Sequence, residues 1–170
     1  MKVIILLAML VFLSSPAAAL DCTYWWGKAD PKVHTGSREI DEAAAENVLS
    51  GIECLLKLEG RKGRGVRFGA KPEVSQMVPP ASVEVNALYT ISELFYGNED
   101  FAHAIALIGD PPKVSGKFDN LVFNSDQDVK RAFVSYRKWF RKVKKMGLDE
   151  ARRSRLDPLA NSGVGWYGGS

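Results

Sequence analysis

The stretch DQDVKRAFVSYRKWFRKVKKM, residues 126–146, decides the fold class of this chain. Wound as an α-helix, its apolar side chains share an arc of roughly 140°, and its basic side chains occupy roughly 160° on the opposite side. Ser125 and the acidic residues that follow it are typical of a helix N-cap, and Gly147 is a stop signal. The pattern predicts one long amphipathic helix with a buried face and a basic face.

The apolar face consists of Val129, Ala132, Phe133, Tyr136, Trp139, Phe140, Val143 and Met146. The basic face consists of Lys130, Arg131, Arg137, Lys138, Arg141, Lys142, Lys144 and Lys145. Residues 149–156 predict a short last helix, which Asp157-Pro158 ends.

Three segments before this stretch also have helical patterns. Residues 39–58 carry apolar side chains at helical spacing. Residues 79–96 begin with Pro79-Pro80 and Ser82, which suit a first helical turn, and stop before Gly97. Residues 101–108 are apolar almost all round, which predicts a buried helix, antiparallel to the one before it.

Together these segments predict an all-α fold, a single compact domain of about five helices over residues 20–170. An irregular arm, residues 20–37, precedes the first helix, and residues 160–170 form a C-terminal tail. Residues 60–78, basic and rich in glycine, predict a flexible loop. The predicted pair 79–96 and 101–108 resembles one antiparallel pair of a HEAT-type array, although no second copy follows at a fixed period.

The N-terminus has the three parts of a secretory signal peptide. Met1-Lys2 is the positive start, residues 3–13 are apolar, and Ala17-Ala18-Ala19 supplies small residues for cleavage. The apolar run is shorter than the roughly 20 residues that span a bilayer. We therefore expect cleavage near Ala19, a secreted or periplasmic protein, and no transmembrane segment afterwards.

The chain has two cysteines, Cys22 and Cys54. In an oxidising compartment two cysteines in a mature chain usually pair, which predicts a disulfide between the arm and the first long helix. The alternative is a free thiol at Cys54, buried on an apolar helix face, with Cys22 loose.

Charge separates along the chain. Residues 130–158 carry eleven basic and three acidic side chains, whereas residues 20–129 carry eleven basic and seventeen acidic ones. Such a field attracts an anionic partner, here an envelope component or an acidic protein. Export disfavours nucleic acid, and an anionic membrane surface stays an alternative. In a competing interpretation, acidic residues of the same chain cover the basic face.

Catalytic patterns are weak, so no catalytic residue, cofactor or metal site is assigned. His34 and His103, the two histidines, have no cysteine or carboxylate at metal-ligand spacing. Glu84 and Glu93 fall on opposite helix faces. We expect a binding protein, similar in general build to periplasmic immunity and inhibitor proteins, and the alternative is a cell-envelope hydrolase or its accessory subunit.

Overall fold

The computed structural model describes residues 21–33, 47–66, 78–97, 101–109 and 121–169 of the chain. The predicted signal peptide, residues 1–19, lies outside them, as does most of the first half of the predicted helix 39–58. The described ranges hold five α-helices, a 3₁₀ turn and two short strands. In chain order these are α1 (Cys22–Gly27), α2 (Val48–Leu55), the 3₁₀ turn (Leu56–Leu58), α3 (Val83–Tyr96), β1 (Leu107–Gly109), α4 (Asp126–Met146), α5 (Leu148–Arg153) and β2 (Val164–Trp166). The predicted all-α class is broadly compatible with this mostly helical architecture.

Helix α4 has the predicted bounds and the predicted phase. The Ser125 hydroxyl accepts a hydrogen bond from the Asp128 N–H, and Gly147 ends the helix with a φ of 91°. Phe133, Tyr136 and Val143 are fully buried. Met146 differs from the prediction, since it lies in the last turn and is exposed.

Helix α3 is the centre of the core, because every residue from Val83 to Phe95 is buried. The helix begins at Val83, after its N-cap Ser82, and not at Pro79 as predicted, and Gly97 ends it with a φ of 73°. The Ser92 hydroxyl lies 2.5 Å from the Tyr136 hydroxyl, to which the Trp166 indole N–H also donates at 3.0 Å. These buried hydrogen bonds join α3, α4 and β2.

The predicted helix over residues 101–108 is wrong. Its last residues belong to β1, which pairs with β2 in antiparallel register, Leu107 opposite Trp166 and Gly109 opposite Val164. A short run that is apolar on all sides fits a buried strand as well as a buried helix. The strand's partner lies in the predicted tail, so the HEAT-like helix pair is not confirmed and the tail docks on the core.

The predicted irregular arm contains α1, whose Asp21 carboxylate accepts a hydrogen bond from the Tyr24 N–H. Cys22 and Cys54 form the predicted disulfide between α1 and α2, with their Cα atoms 5.1 Å apart. Trp25 lies directly on Gly51, where an added Cβ would come within 2.8 Å of the indole ring. The absence of a side chain at Gly51 therefore allows the two helices to pack closely.

The predicted flexible loop is anchored over residues 60–66; residues 67–77 lie outside the described ranges. Val66 donates its N–H to the Ala29 carbonyl at 3.0 Å, and Gly65 donates to the Ala81 carbonyl at 2.9 Å. The buried Glu84 accepts the Gly60 N–H at 2.8 Å. Backbone pairing therefore holds the first part of this segment against the start of α3.

Candidate functional site: a basic groove along the long helix

A groove of about 940 Å³ runs between α4 and residues 156–162, which fold back along the helix. Two hydrogen bonds hold its walls together. The Ser135 hydroxyl donates to the Pro158 carbonyl at 2.7 Å, and the Trp139 indole N–H donates to the Leu156 carbonyl at 2.8 Å. The groove is therefore built on a rigid helix and on a segment that the helix itself fixes.

Basic side chains dominate the lining of the groove. Among the described residues, Asp157 is the one acidic side chain in it, and Val134 is an exposed apolar one. Six of the eight predicted basic residues line it, namely Lys130, Arg131, Lys138, Arg141, Lys142 and Lys145. The structure thus brings most of the predicted basic residues together and adds a second wall beside them.

Helical periodicity explains why these side chains meet. Positions 130, 134, 138, 142 and 145 are three or four residues apart and so form one stripe on the helix. From Lys130 to Lys145 the stripe is about 22 Å long at about 1.5 Å per residue. The groove therefore presents cations in a line.

The other two predicted residues lie on the opposite flank and contact their own chain. Arg137 forms a salt bridge with Glu59 at 2.5 Å and donates to the Leu56 carbonyl at 3.4 Å. The Lys144 ammonium lies 4.8 Å from the centre of the Phe140 ring. The structure does not bring this pair into the groove.

The competing interpretation, acidic residues covering the basic face, applies to part of the helix. Arg131 pairs with Asp128, and Arg137 pairs with Glu59. Within the described ranges no salt-bridge partner reaches the exposed side chains of the remaining cations of the groove wall. Lys130 is the first of them, and the other four are Lys138, Arg141, Lys142 and Lys145. Because these four are crowded into the last two turns, they create a positive potential that favours an anion.

The apolar face of α4 is committed to the core. Phe133, Trp139 and Phe140 are all buried, so inserting this face into lipid would remove them from it. In the part of the chain that the structure describes, no helix is both long and apolar enough to cross a bilayer.

Two tyrosines outside the groove lining, one on α3 and one on α4, have perturbed acidity. Burial, and to a smaller extent the charge of Asp157, raises the pKa of Tyr96 to about 12. Complete burial raises the pKa of Tyr136 further, although the hydrogen bonds from Ser92 and Trp166 act in the opposite direction. Both hydroxyls therefore stay neutral at physiological pH, and Tyr136 serves the core.

Among the described residues, the lining of the groove holds one carboxylate, Asp157, and no histidine or cysteine. Over the described ranges, no three His, Cys, Asp or Glu side chains are placed to hold a metal ion. Glu84 is buried and pairs with Lys62 at 2.7 Å, away from the groove, while His103 is exposed. His34 lies outside the described residues.

Sequence reasoning missed the second wall and Val134. Val134 falls in the basic arc, so the apolar pattern of α4 does not include it. The second wall had a detectable signal, since Asp157-Pro158 and Asn161-Ser162-Gly163 are turn-forming pairs and triplets that could return the chain along α4.

Comparisons of the chain with protein-family models, curated proteins and solved structures find no match in any of the three. Functional inference therefore rests on the groove itself.

Proposed function

We propose that this protein is an exported binding protein that holds an anionic partner, an envelope component or an acidic protein, in the groove of α4. The observation that carries the proposal is the concentration of unneutralised cations on one wall. Lys138, Arg141 and Lys142 are exposed on that wall and have no salt-bridge partner among the described residues. An anionic partner would supply the missing countercharges.

The shape of the site supports the same proposal. A groove lets a ligand contact cations on the helix and polar groups on residues 156–162 at once, such as Asn161 and Ser162. Ligand-binding sites are usually concave, and basic concave surfaces focus the electric field. A groove therefore suits an anion better than an exposed helix alone would.

Export is the second part of the proposal. The disulfide between Cys22 and Cys54 and the absence of a membrane-spanning helix from the described residues are compatible with an extracellular or periplasmic location. The three-part pattern of residues 1–19 supports secretion. Expressed with this segment, the protein should start near Leu20, which N-terminal sequencing measures. A mature protein that still begins with Met1 would contradict export.

Binding is tested with a variant that removes three cations from the groove. This groove variant carries Lys138→Gln, Lys142→Gln and Lys145→Gln. We expect the parent protein to bind dextran sulfate and to elute as salt rises, since exposed charges are screened beyond about 8 Å at physiological ionic strength. The groove variant should elute at much lower salt, while its circular dichroism spectrum and melting temperature stay unchanged.

A matched control loses the same net charge elsewhere. This control variant replaces three exposed basic residues outside the groove, Lys32→Gln, Lys57→Gln and Arg61→Gln. It should elute close to the parent protein. Equal shifts for the two variants would show that net charge, not the groove, causes retention, and would overturn the proposal.

A further inference from the structure

Val134 is an apolar position in the middle of the basic stripe. Half of its surface is exposed, 50%, and it lies one helical turn from Lys130 on one side and one turn from Lys138 on the other. Leu156 and Pro158 lie across the groove from the helix. The site therefore combines a line of cations with a small apolar surface centred on Val134.

We infer, on the basis of the proposed function, that the partner is an acidic protein and that an extended segment of it occupies the groove. In this arrangement an apolar side chain of the segment covers Val134. Carboxylates on either side of that side chain reach Lys130 and Lys138, and further carboxylates reach Lys142 and Lys145.

The spacing of the groove residues fits an extended peptide. Alternate side chains of a strand point the same way and lie about 6.6 Å apart. One turn between Val134 and Lys138, or between Lys138 and Lys142, covers about 6 Å of helix. A segment of about nine residues has five side chains on one face, so it would place one side chain opposite each of the five positions of the stripe.

Charge and polarity favour a peptide over a polymeric anion. A sulfated or phosphorylated polymer has anionic groups for the lysines but no aliphatic side chain to lay on Val134. An apolar side chain of the ligand that packs on Val134 removes two apolar surfaces from water, which is favourable. A polar group in the same place would lose its hydration instead, which is costly. The combination of carboxylate and apolar side chains at fixed spacing is characteristic of a protein segment.

The test compares peptides and a polymer on the intact protein. The first probe is a fluorescent peptide, Glu-Ser-Leu-Ser-Glu-Ser-Glu-Ser-Glu, and the second has Gln in place of Leu. The third probe is dextran sulfate, which carries charge without apolar side chains. Anisotropy gives the Kd of each peptide at low and physiological salt, and elution from dextran sulfate reports the polymer.

Val134→Gln removes the exposed apolar side chain from the groove and leaves every cation in place. Glutamine is a better helix former than valine, so the helix should persist. We expect the Leu peptide to bind about three- to tenfold more weakly, because about half of a valine side chain loses its apolar contact. Binding of the Gln peptide and of dextran sulfate should not change. The control is Val122→Gln, an exposed valine outside the groove, which should alter none of the three.

The outcomes separate this inference from the proposed function. If Val134→Gln leaves the Leu peptide unaffected while the groove variant loses all three probes, the acidic-peptide inference is overturned and the groove still binds anions. The same conclusion follows if the two peptides bind equally well to the parent protein. If the groove variant retains the peptides and the polymer, the proposed function fails as well.

Discussion

The two flanks of α4 carry the same residue types with opposite consequences. On one flank, here called the structural flank, Arg137 pairs with Glu59 and Lys144 lies over Phe140, so both cations stabilise their own fold. On the other, here called the groove flank, Lys138 and Lys142 line the groove and have no salt-bridge partner among the described residues. A cation on an amphipathic helix is thus structural or free for a ligand according to what packs beside it.

The largest expected effect concerns the buried face between the two flanks. Phe140 is 4% exposed, so Phe140→Ala should lower the free energy of unfolding by about 3–5 kcal/mol. Lys138→Ala, on the groove flank, should change it by less than about 0.5 kcal/mol. Urea denaturation measures both values. Similar costs would contradict the division of α4 into a buried face and a solvent face.

Reduction of the disulfide should have the next largest effect. The bridge from Cys22 to Cys54 should contribute about 2–4 kcal/mol to the free energy of unfolding. It also fixes α2, and the residues directly after α2 include Leu56 and Glu59, which contact Arg137. We expect the reduced protein to unfold at lower denaturant concentration. At low temperature, where it stays folded, it should still be retained on dextran sulfate. Loss of retention in the folded, reduced protein would show that the groove depends on the structural flank.

The salt bridge on the structural flank should give a smaller, measurable effect. A double-mutant cycle with Arg137→Gln and Glu59→Gln should give a coupling energy of about 0.5 kcal/mol, because both side chains are partly exposed and screened by solvent. The same cycle with Arg141→Gln and Glu59→Gln should give none. A coupling for Arg141 as large as that for Arg137 would contradict the assignment of the flanks.

The smallest expected effect comes from Asp157, the acidic residue of the groove lining. In the parent structure the Asp157 carboxylate accepts a hydrogen bond from the Leu159 N–H at 2.8 Å. Asp157→Asn removes the negative charge but keeps an oxygen that can accept this hydrogen bond. At about 10 Å in water one charge is worth about 0.4 kcal/mol, so affinity for the acidic peptide should rise about twofold. Anisotropy measures the change, and unchanged or weaker binding would place Asp157 outside the field of the ligand.

The same variant has a spectroscopic check. Asp157 is the smaller of the two causes that raise the pKa of Tyr96 to about 12, so the pKa of Tyr96 should fall in Asp157→Asn but stay above its ordinary value of 10.0. Below about pH 10 the Tyr96 hydroxyl keeps its proton in both the folded and the unfolded state. Between about pH 10 and pH 12 the unfolded state loses the proton first, so Tyr96 lowers the stability of the folded state over this range. The chain has five tyrosines, so the difference between the ultraviolet titrations of the parent protein and of Asp157→Asn reports Tyr96. A pKa that does not move would show that burial alone is the cause.

Local sequence signals were reliable where one element could satisfy them by itself. The bounds and phase of α4 follow from Ser125, Gly147 and a period of 3.6 residues. The stop of α3 at Gly97 and the pairing of Cys22 with Cys54 were also predicted, although α3 begins at Val83 and not at the predicted Pro79. Local sequence signals failed for residues 101–108, because this apolar run has no period that distinguishes a buried helix from a buried strand.

What the sequence determined by itself is the amphipathic helix and its eight basic residues, and it favoured the disulfide over a free thiol. Only the tertiary structure decided which six of those residues line a groove, because the neighbours of a helix face come from distant segments. Leu156 and Pro158 reach α4 through hydrogen bonds to Trp139 and Ser135, and β1 forms because β2 returns to it. Contacts between distant parts of a chain depend on three-dimensional packing, and a local period contains no information about them.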